Sequence, residues 1–215
     1  MAIRWIFFDV GSTLVDEDGA FRWRYDKLRG QIAEAAGRDI PYEEFEEMMH
    51  EAGKVSGAPF YRVLSDIGLK LHIEYRAELE RPYPEAASVL KTLKQSGYNI
   101  GIIANQGVGL SKRLEAYGLS PWLDAVFGSD DLKLWKPDTA FYRYALEQTG
   151  CLPNEAVMVG DRIDNDVAPA HNAGMRAVRI LCGYFDRRLP SCPEEEPDAT
   201  AKDLSGLPDA ISRLG

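Results

Sequence analysis

The sequence predicts an α/β fold: a doubly wound parallel sheet of the Rossmannoid type, interrupted by a small inserted helical cap. Three observations predict it. Short apolar runs alternate with helical segments, most of those segments end near a glycine, and nearly ninety residues separate the first apolar run from the second. Strand–helix alternation is the pattern of an open α/β domain, and wholly apolar strands are typical of a sheet covered on both faces.

Five apolar runs are the predicted strands. They are IRWIFFDV (3–10), YNIGIIAN (98–105), LDAVFGS (123–129), AVMVGD (156–161) and RAVRI (176–180). The segments between them have apolar residues at helical spacing and a glycine near the end, which is a usual helix stop. These predicted helices cover 84–97, 108–118, 137–150 and 166–174, and a short one covers 209–214. The proline-rich, acidic stretch 186–197 is predicted to be a surface connection.

The long interval after the first strand predicts the inserted domain. Its helical segments are 20–37, 41–53, 59–68 and 73–80. We therefore expect an α/β core domain of residues 1–15 and 82–215 and a helical cap of residues 16–81. A cap of this size is too small for a large core of its own, so we expect it to pack over one end of the sheet.

Composition excludes several classes of function. The chain has 215 residues and a net charge of −9. The electrostatic field of such a negative protein repels a phosphate backbone, so we expect no nucleic-acid partner. No apolar run approaches the roughly 20 residues that span a bilayer, so we expect no membrane association. The three cysteines form no CxxC pair, which is typical of thiols in a reducing cytosol, and we expect a cytoplasmic location. The oligomeric state cannot be read from the sequence.

Polar residues follow several predicted strands at the ends where ligands bind. In open α/β sheets, ligands bind beyond the carboxyl ends of the strands, where strand order reverses. Asp9 follows the first strand, Asn105 the second and Asp161 the fourth, and Asp166 lies in the turn after Asp161. Lys136 precedes a predicted helix. Each of these residues alone is equally typical of turns, helix N-caps or solvated surfaces.

Together, however, these residues predict a metal site. Three aspartates at one sheet edge would repel one another unless a cation neutralised them. Carboxylate oxygens suit Mg²⁺ in near-octahedral geometry. We therefore expect Mg²⁺ at Asp9, Asp161 and Asp166, with Lys136 supplying a further positive charge.

In this order and spacing, the motifs resemble those of the haloacid dehalogenase (HAD) superfamily of hydrolases, over nearly the whole chain. FFDVGSTLVD (7–16) is similar to motif one, IIANQ (102–106) to motif two, WKPD (135–138) to motif three, and VGDRIDNDV (159–167) with HNAGM to motif four. The helical insertion is similar to the small helical cap of subfamily I.

The resemblance implies a phosphatase of a small phosphorylated metabolite that works through an aspartyl intermediate. Asp9 would attack phosphorus, and Asp9, the carbonyl of Gly11 and Asp161 would hold Mg²⁺. Asp166 would act from the outer coordination sphere of the metal. Such a reaction fits the chemistry of carboxylate nucleophiles and of electrostatic catalysis at phosphate.

The resemblance also implies a phosphate-binding set. Lys136 would contact both the nucleophile and the phosphate, and Thr13 and Asn105 would complete the set. The acid pair of motif four makes halide displacement the less expected chemistry, since the dehalogenating members of the superfamily lack that pair.

Two positions depart from the family pattern. Gly11 stands where the phosphatases usually carry the aspartate that serves as general acid, and Ala104 stands where they usually carry Ser or Thr. These departures keep open an alternative from another class, a catalytically silent binding or regulatory protein with the same fold.

Two weaker sequence signals are the basic start of the cap and a glycine-containing stretch after the second strand. The cap begins with a basic stretch that could bind a second anionic group of the substrate, but a solvated helix face is the commoner role of such a stretch. Its members are Arg22, Arg24, Lys27 and Arg29. GVGLSK (107–112) has only two glycines of a dinucleotide fingerprint and supports NAD binding weakly.

Overall fold

The computed structural model describes residues 2–214, and a six-stranded parallel sheet lies at its centre. In chain order the strands of this sheet are β1 (Trp5–Phe8), β4 (Asn99–Ala104), β5 (Ala125–Gly128), β6 (Ala156–Gly160), β7 (Arg176–Ile180) and β8 (Ala199–Ala201). Two further short strands, β2 (Val15–Asp16) and β3 (Arg81–Pro82), pair with each other. The predicted α/β fold and all five predicted strands are confirmed. The edge strand β8 was missed, because the three residues ATA carry no strand pattern.

Strand order explains why β1 is central. The order across the sheet is β5-β4-β1-β6-β7-β8, so the chain extends the sheet on one side of β1 and then crosses to the other side. Phe8 is in register with Ile102 of β4 and Val159 of β6. The carboxyl ends of these three strands therefore lie side by side, and strand order reverses beside β1.

Alternate residues of the central strands pack on opposite faces of the sheet. Ile6 and Phe8 belong to the apolar cluster on one face, whereas Phe7 belongs to the cluster on the other, and all three are fully buried. The helices that connect or follow the strands of the six-stranded sheet are α4 (Ala86–Gln95), α5 (Leu110–Ala116), α6 (Ser129–Leu132), α7 (Thr139–Thr149), α8 (Ala168–Asn172) and α9 (Leu207–Ser212). Both faces are thus covered, which is why the strands are apolar along their whole length.

A second compact unit comprises Asp16–Arg81 and Gly183–Leu189. Its helices are α1 (Asp18–Ala36), α2 (Tyr42–Gly53) and α3 (Pro59–Asp66), packed around their own apolar cluster. Aromatic rings dominate that cluster: Phe45, for example, packs its ring 5.4 Å from Phe60 and 5.3 Å from Tyr25. No helix among residues 2–214 is long and apolar enough to cross a membrane.

The helix predicted at 73–80 is wrong. Only a single 3₁₀ turn, Ala77–Leu79, forms there. The guanidinium of Arg24 donates to the carbonyls of Ile73 and Glu74 at 3.4 and 3.1 Å. These carbonyls bond to a side chain on α1, so they do not take part in a helical ladder.

The segment Gly183–Leu189, which the sequence assigned to the core domain, packs instead within the helical unit. Tyr184 is buried in the helical cluster, with its ring 5.1 Å from that of Phe21. Arg187 forms ion pairs with Glu47 and Glu51 of α2. The ring contact of Tyr184 and the ion pairs of Arg187 hold the segment in this position. Both are contacts with residues far away in the chain, which the local sequence cannot predict.

Candidate active site

Three carboxylates meet at the carboxyl edge of the central strands. Asp9 directly follows β1, Asp161 directly follows β6, and Asp166 lies at the end of the next turn. One carboxylate oxygen from each residue lies within 4.8 Å of the others. Asp161 and Asp166 are buried, whereas the side chain of Asp9 keeps 14% of its surface exposed. The acid cluster is therefore open to a ligand on the Asp9 side.

The turn after β6 places Asp166 by its own hydrogen bonds. Residues Ile163–Val167 form a π-helical turn, and the Arg162 N–H donates to Asp166 Oδ2 at 3.1 Å. Gly160 leaves room for the acid, because a Cβ at that position would lie 2.3 Å from the Asp166 Cγ. Glycine at the end of β6 is thus required by the close approach of a carboxylate.

Lys136 bridges the cluster. Its Nζ lies 2.7 Å from Asp9 Oδ1 and 2.5 Å from Asp166 Oδ1, and its side chain is fully buried. Burial alone would lower the pKa of Lys136, but the adjacent carboxylates of Asp166 and Asp9 outweigh burial and raise that pKa. Lys136 is therefore a fixed positive charge between two acids.

The carboxyl group of Asp166 has a raised pKa. Burial raises its pKa to about 6, and the charge of Asp9 acts in the same direction, whereas Lys136 lowers it. Desolvation of this kind favours the neutral acid unless positive charge is nearby. The ammonium of Lys136 thus does not fully offset the effect of burial on Asp166.

Motif one forms a tight turn directly after Asp9. The Val15 and Leu14 N–H groups both donate to the Val10 carbonyl, and Gly11 forms an isolated bridge with Val15. The left-handed residue of the turn is Ser12, with φ 52°, whereas Gly11 does not adopt a positive φ. The backbone at position 11 is therefore open to residues other than glycine.

The predicted phosphate ligands have different surroundings. The Thr13 Oγ1 atom is buried and has no hydrogen-bond partner among the described residues. The side-chain amide of Asn105 bonds to the backbone of Lys136 at both of its polar ends. A phosphate contact by either residue stays a prediction.

A divalent cation fits this donor set. The three carboxylates provide only hard oxygen ligands. Mg²⁺ prefers such ligands, whereas softer metals prefer nitrogen and sulfur. Burial and the charge of Asp9 both raise the pKa of Asp166, so a cation bound beside it would favour its ionised form. Asp9 and Asp161 are thus the carboxylates that would hold the ion, and Asp166 lies close enough to act from its outer coordination sphere.

Sequence reasoning missed one member of the site's support. Tyr142, on α7, is fully buried and donates from its hydroxyl to the Asn165 carbonyl at 2.6 Å, which fixes the π-helical turn from behind. Tyr142 lies on the apolar face of α7 beside Phe141 and Ala145, so nothing in the sequence distinguishes it from ordinary core residues.

The basic stretch of α1 divides in the structure. Arg24 is buried, with its guanidinium carbon 4.7 Å from the Tyr75 ring and 5.5 Å from the Phe60 ring, and it supports the helical unit itself. Arg22 and Arg29 lie on the exposed face of the helix, where they form ion pairs with acids of the same unit. This arrangement matches the solvated helix face more closely than a substrate site.

Comparison with known proteins identifies the family. The family model for haloacid dehalogenase-like hydrolases matches residues 3–174. The chain belongs to the haloacid dehalogenase-like hydrolases. Within this family it is 29% identical to a glyceraldehyde 3-phosphate phosphatase from Methanocaldococcus jannaschii, over 99% of this chain and 98% of that protein.

Two further relatives show the range of the family. An (S)-2-haloacid dehalogenase 4A from Burkholderia cepacia is 31% identical over 83% of each chain. The crystal structure of an HAD phosphatase from Thermococcus onnurineus superposes with a TM-score of 0.63 and 25% identity, covering 96% of this chain and 97% of that one. Phosphatases and dehalogenases are thus both similar to this HAD-like hydrolase.

Proposed function

We propose that this HAD-like hydrolase is a Mg²⁺-dependent phosphatase of a small phosphorylated metabolite, with Asp9 as nucleophile. The observation that carries the proposal is the cluster of Asp9, Asp161 and Asp166 around the buried ammonium of Lys136. Asp9, the Gly11 carbonyl and Asp161 would hold the metal, with Asp166 in its outer coordination sphere. Similarity to a glyceraldehyde 3-phosphate phosphatase supports a small phosphate ester as substrate.

The reaction runs in two displacements at phosphorus. An Asp9 carboxylate oxygen forms a bond to phosphorus while the bond from phosphorus to the ester oxygen breaks, and the leaving oxygen takes a proton from solvent water. Water then forms a bond to the same phosphorus, the bond to Asp9 breaks, and inorganic phosphate leaves. When bound, the divalent ion offsets negative charge on the phosphoryl oxygens.

Lys136 holds the nucleophile in its reactive state. Its ammonium lies 2.7 Å from Asp9 Oδ1 and remains charged at neutral pH, since its pKa is raised. A fixed positive charge at this position counters the negative charge of an approaching phosphate. Such preorganised charges supply much of the rate enhancement in phosphoryl transfer.

Proton transfer is the weak step of this site. Gly11 provides no general acid, and general acid–base catalysis typically contributes about 10²- to 10⁴-fold in rate. An aryl phosphate leaves as a stable phenolate and loses little from the missing acid. Hydrolysis of an alkyl phosphate loses most of that rate enhancement, because its leaving group needs a proton. The enzyme should therefore prefer substrates with a good leaving group.

A second candidate is halide displacement from a 2-haloacid by Asp9. Gly11 and the 31% identical dehalogenase favour it. The buried pair Asp161 and Asp166 disfavours it, because negative charge at this edge repels a carboxylate substrate unless a cation is bound. Halide release from 2-chloropropionate without added metal would support this candidate over the phosphatase.

A metal-dependent assay with an aryl phosphate tests the proposed function. Hydrolysis of 4-nitrophenyl phosphate should require Mg²⁺ and should be lost in Asp9→Asn and Asp161→Asn. Asp209→Asn, which removes an exposed acid on α9, is the matched control and should retain full activity. If wild-type protein hydrolyses no aryl or alkyl phosphate with Mg²⁺, the phosphatase proposal fails in favour of a silent binding protein.

A further inference from the structure

The side chain of Asn105 forms a double hydrogen bond with the backbone of Lys136. Asn105 Nδ2 donates to the Lys136 carbonyl at 2.8 Å, and Asn105 Oδ1 accepts from the Lys136 N–H, also at 2.8 Å. The two residues are 31 positions apart in the chain. A side-chain amide thus pairs with a backbone as a neighbouring strand would.

The segment around Lys136 is irregular. It lies between α6 and α7, outside any helix or strand, and follows Lys133 with its left-handed φ of 59°. Among residues 2–214, no group other than the Asn105 side chain bonds to the backbone of Lys136. Asn105 directly follows β4, so the bond ties this irregular segment to the central sheet.

The tie controls where the ammonium lies. The Lys136 side chain is a flexible chain of four carbons, and its Nζ must meet Asp9 and Asp166 at the same time. With the backbone fixed next to β4, only the side-chain torsions remain to be ordered. Loss of the tie lets the backbone of Lys136 move, and the ammonium moves with it.

We infer that Asn105 is a positioning residue, which acts through Lys136 rather than by contact with substrate. The inference rests on the proposed function for its kinetic consequence, but its structural part concerns only Asn105 and Lys136. In this role, Asn105 of motif two positions Lys136 of motif three.

Kinetics separates this role from direct phosphate binding. A misplacement of about 1 Å at a reacting centre costs on the order of 10²-fold in rate. Asn105→Ala should therefore lower kcat by about that factor, while KM and the inhibition constant of inorganic phosphate, to which Lys136 also contributes, change by much less. A phosphate ligand would behave differently, since its loss would weaken inhibition by phosphate.

Nuclear magnetic resonance tests the inference without turnover. In protein labelled with [¹⁵N]lysine, the Lys136 Nζ signal is assigned by its absence in Lys136→Arg. Burial and two carboxylate partners should give it slower proton exchange with water than exposed lysines show. In Asn105→Ala this protected signal should broaden or join the exposed set. Asn99→Ala, at the other end of β4, is the matched control and should leave the signal unchanged.

Asn105→Asp provides the same comparison in a nearly isosteric side chain, should the alanine variant not fold. It keeps an acceptor for the Lys136 N–H and places a carboxylate oxygen against the Lys136 carbonyl. An unchanged Lys136 signal in a folded Asn105 variant would overturn the inference, as would an inhibition constant for phosphate that rises in step with the loss of kcat. Absence of turnover in wild type would remove the proposed function and leave the resonance test standing.

Discussion

At the scale of single residues, Gly11 is one of the two positions at which this chain departs from the motif pattern of the phosphatases that it resembles. Gly11 lies in the turn that follows Asp9, the proposed nucleophile, and has no positive φ, so an aspartate can occupy the position without backbone strain. The missing acid is therefore a missing side chain in a backbone that would accept one.

Restoring that side chain should restore proton transfer. In Gly11→Asp combined with Ala104→Thr, the new carboxylate can protonate the leaving oxygen and then activate water. The kcat/KM should rise for both esters, but the rise for an alkyl phosphate should be larger than the rise for an aryl phosphate by about 10²-fold. Adding Asp9→Asn in the same background should remove both activities. Equal gains for the two esters would show that the aspartate does not act as the acid.

Removing the ammonium should destabilise the fold. Lys136→Met leaves Asp9 and Asp166 unpaired, and breaking a buried ion pair by losing one partner costs about 3–5 kcal/mol. The loss should be smaller at pH 5 than at pH 8, because Asp166, whose pKa burial raises to about 6, becomes neutral as the pH falls. Urea unfolding at both pH values measures this, with the exposed Lys112→Met as control. Equal losses at the two pH values would exclude charge repulsion as the cause.

The sequence predicted most of these residues and missed their coupling. Asp9 and Asp161 were predicted because each directly follows an apolar run, and Asp166 because it lies in the turn after Asp161. The bond between Asn105 and Lys136 was missed, since it joins a side chain to a backbone across 31 residues and leaves no pattern. The buried hydroxyl of Tyr142 was missed for a related reason, as its neighbours are ordinary core residues.

At the scale of elements, β6 and the turn after it form one unit of support. The strand ends in Gly160, the turn carries Asp161 and Asp166, and Tyr142 of α7 bonds the turn from behind. The five predicted strands were recognisable because both faces of the sheet are covered. The structure of segment 73–80 was predicted wrongly, because the buried Arg24 of α1 donates hydrogen bonds to two carbonyls of this segment.

Adding one methyl group to β6 should disturb the acid cluster. Gly160→Ala places a Cβ 2.3 Å from the Asp166 Cγ, so the carboxylate or the turn must shift. Overpacking of this kind costs about 1–3 kcal/mol. The thermal shift produced by Mg²⁺ should also shrink, because the cluster is displaced. Gly30→Ala, with nothing within 4 Å of its added Cβ, should show neither effect. A full Mg²⁺ shift in Gly160→Ala would separate Asp166 from metal binding.

At the scale of the whole molecule, the chain enters the helical unit more than once. Residues 16–81 form most of it, and Gly183–Leu189 contributes a second, separate segment. The contact is close: a Cβ at Gly53 of α2 would lie 1.8 Å from the Tyr184 carbonyl oxygen. The sequence could not predict this packing, because the glycine and the carbonyl that meet are about 130 residues apart.

Widening that contact should release the segment. Gly53→Ala forces α2 and Tyr184 apart, so trypsin should cleave after Arg187 or Arg188 several times faster than in wild type. The rate is measured by mass spectrometry of limited digests under native conditions. Gly30→Ala again serves as control. An unchanged rate at these arginines would mean that the segment stays bound by its ion pairs alone.

The pairing of β2 with β3 has a consequence for how the chain folds during synthesis. Because Val15–Asp16 lies against Arg81–Pro82, an inserted unit that folds first brings its two ends together. The loop that β1 must close to reach β4 then shrinks from about ninety residues to about two dozen, which lowers the entropy cost of closure by about 1 kcal/mol. β6 begins only at Ala156, so β1 acquires its second neighbour late. Pulsed hydrogen exchange on ribosome-bound chains should find the amides of β1 protected only after β6 has emerged, and earlier protection would show that β1 pairs with β4 alone.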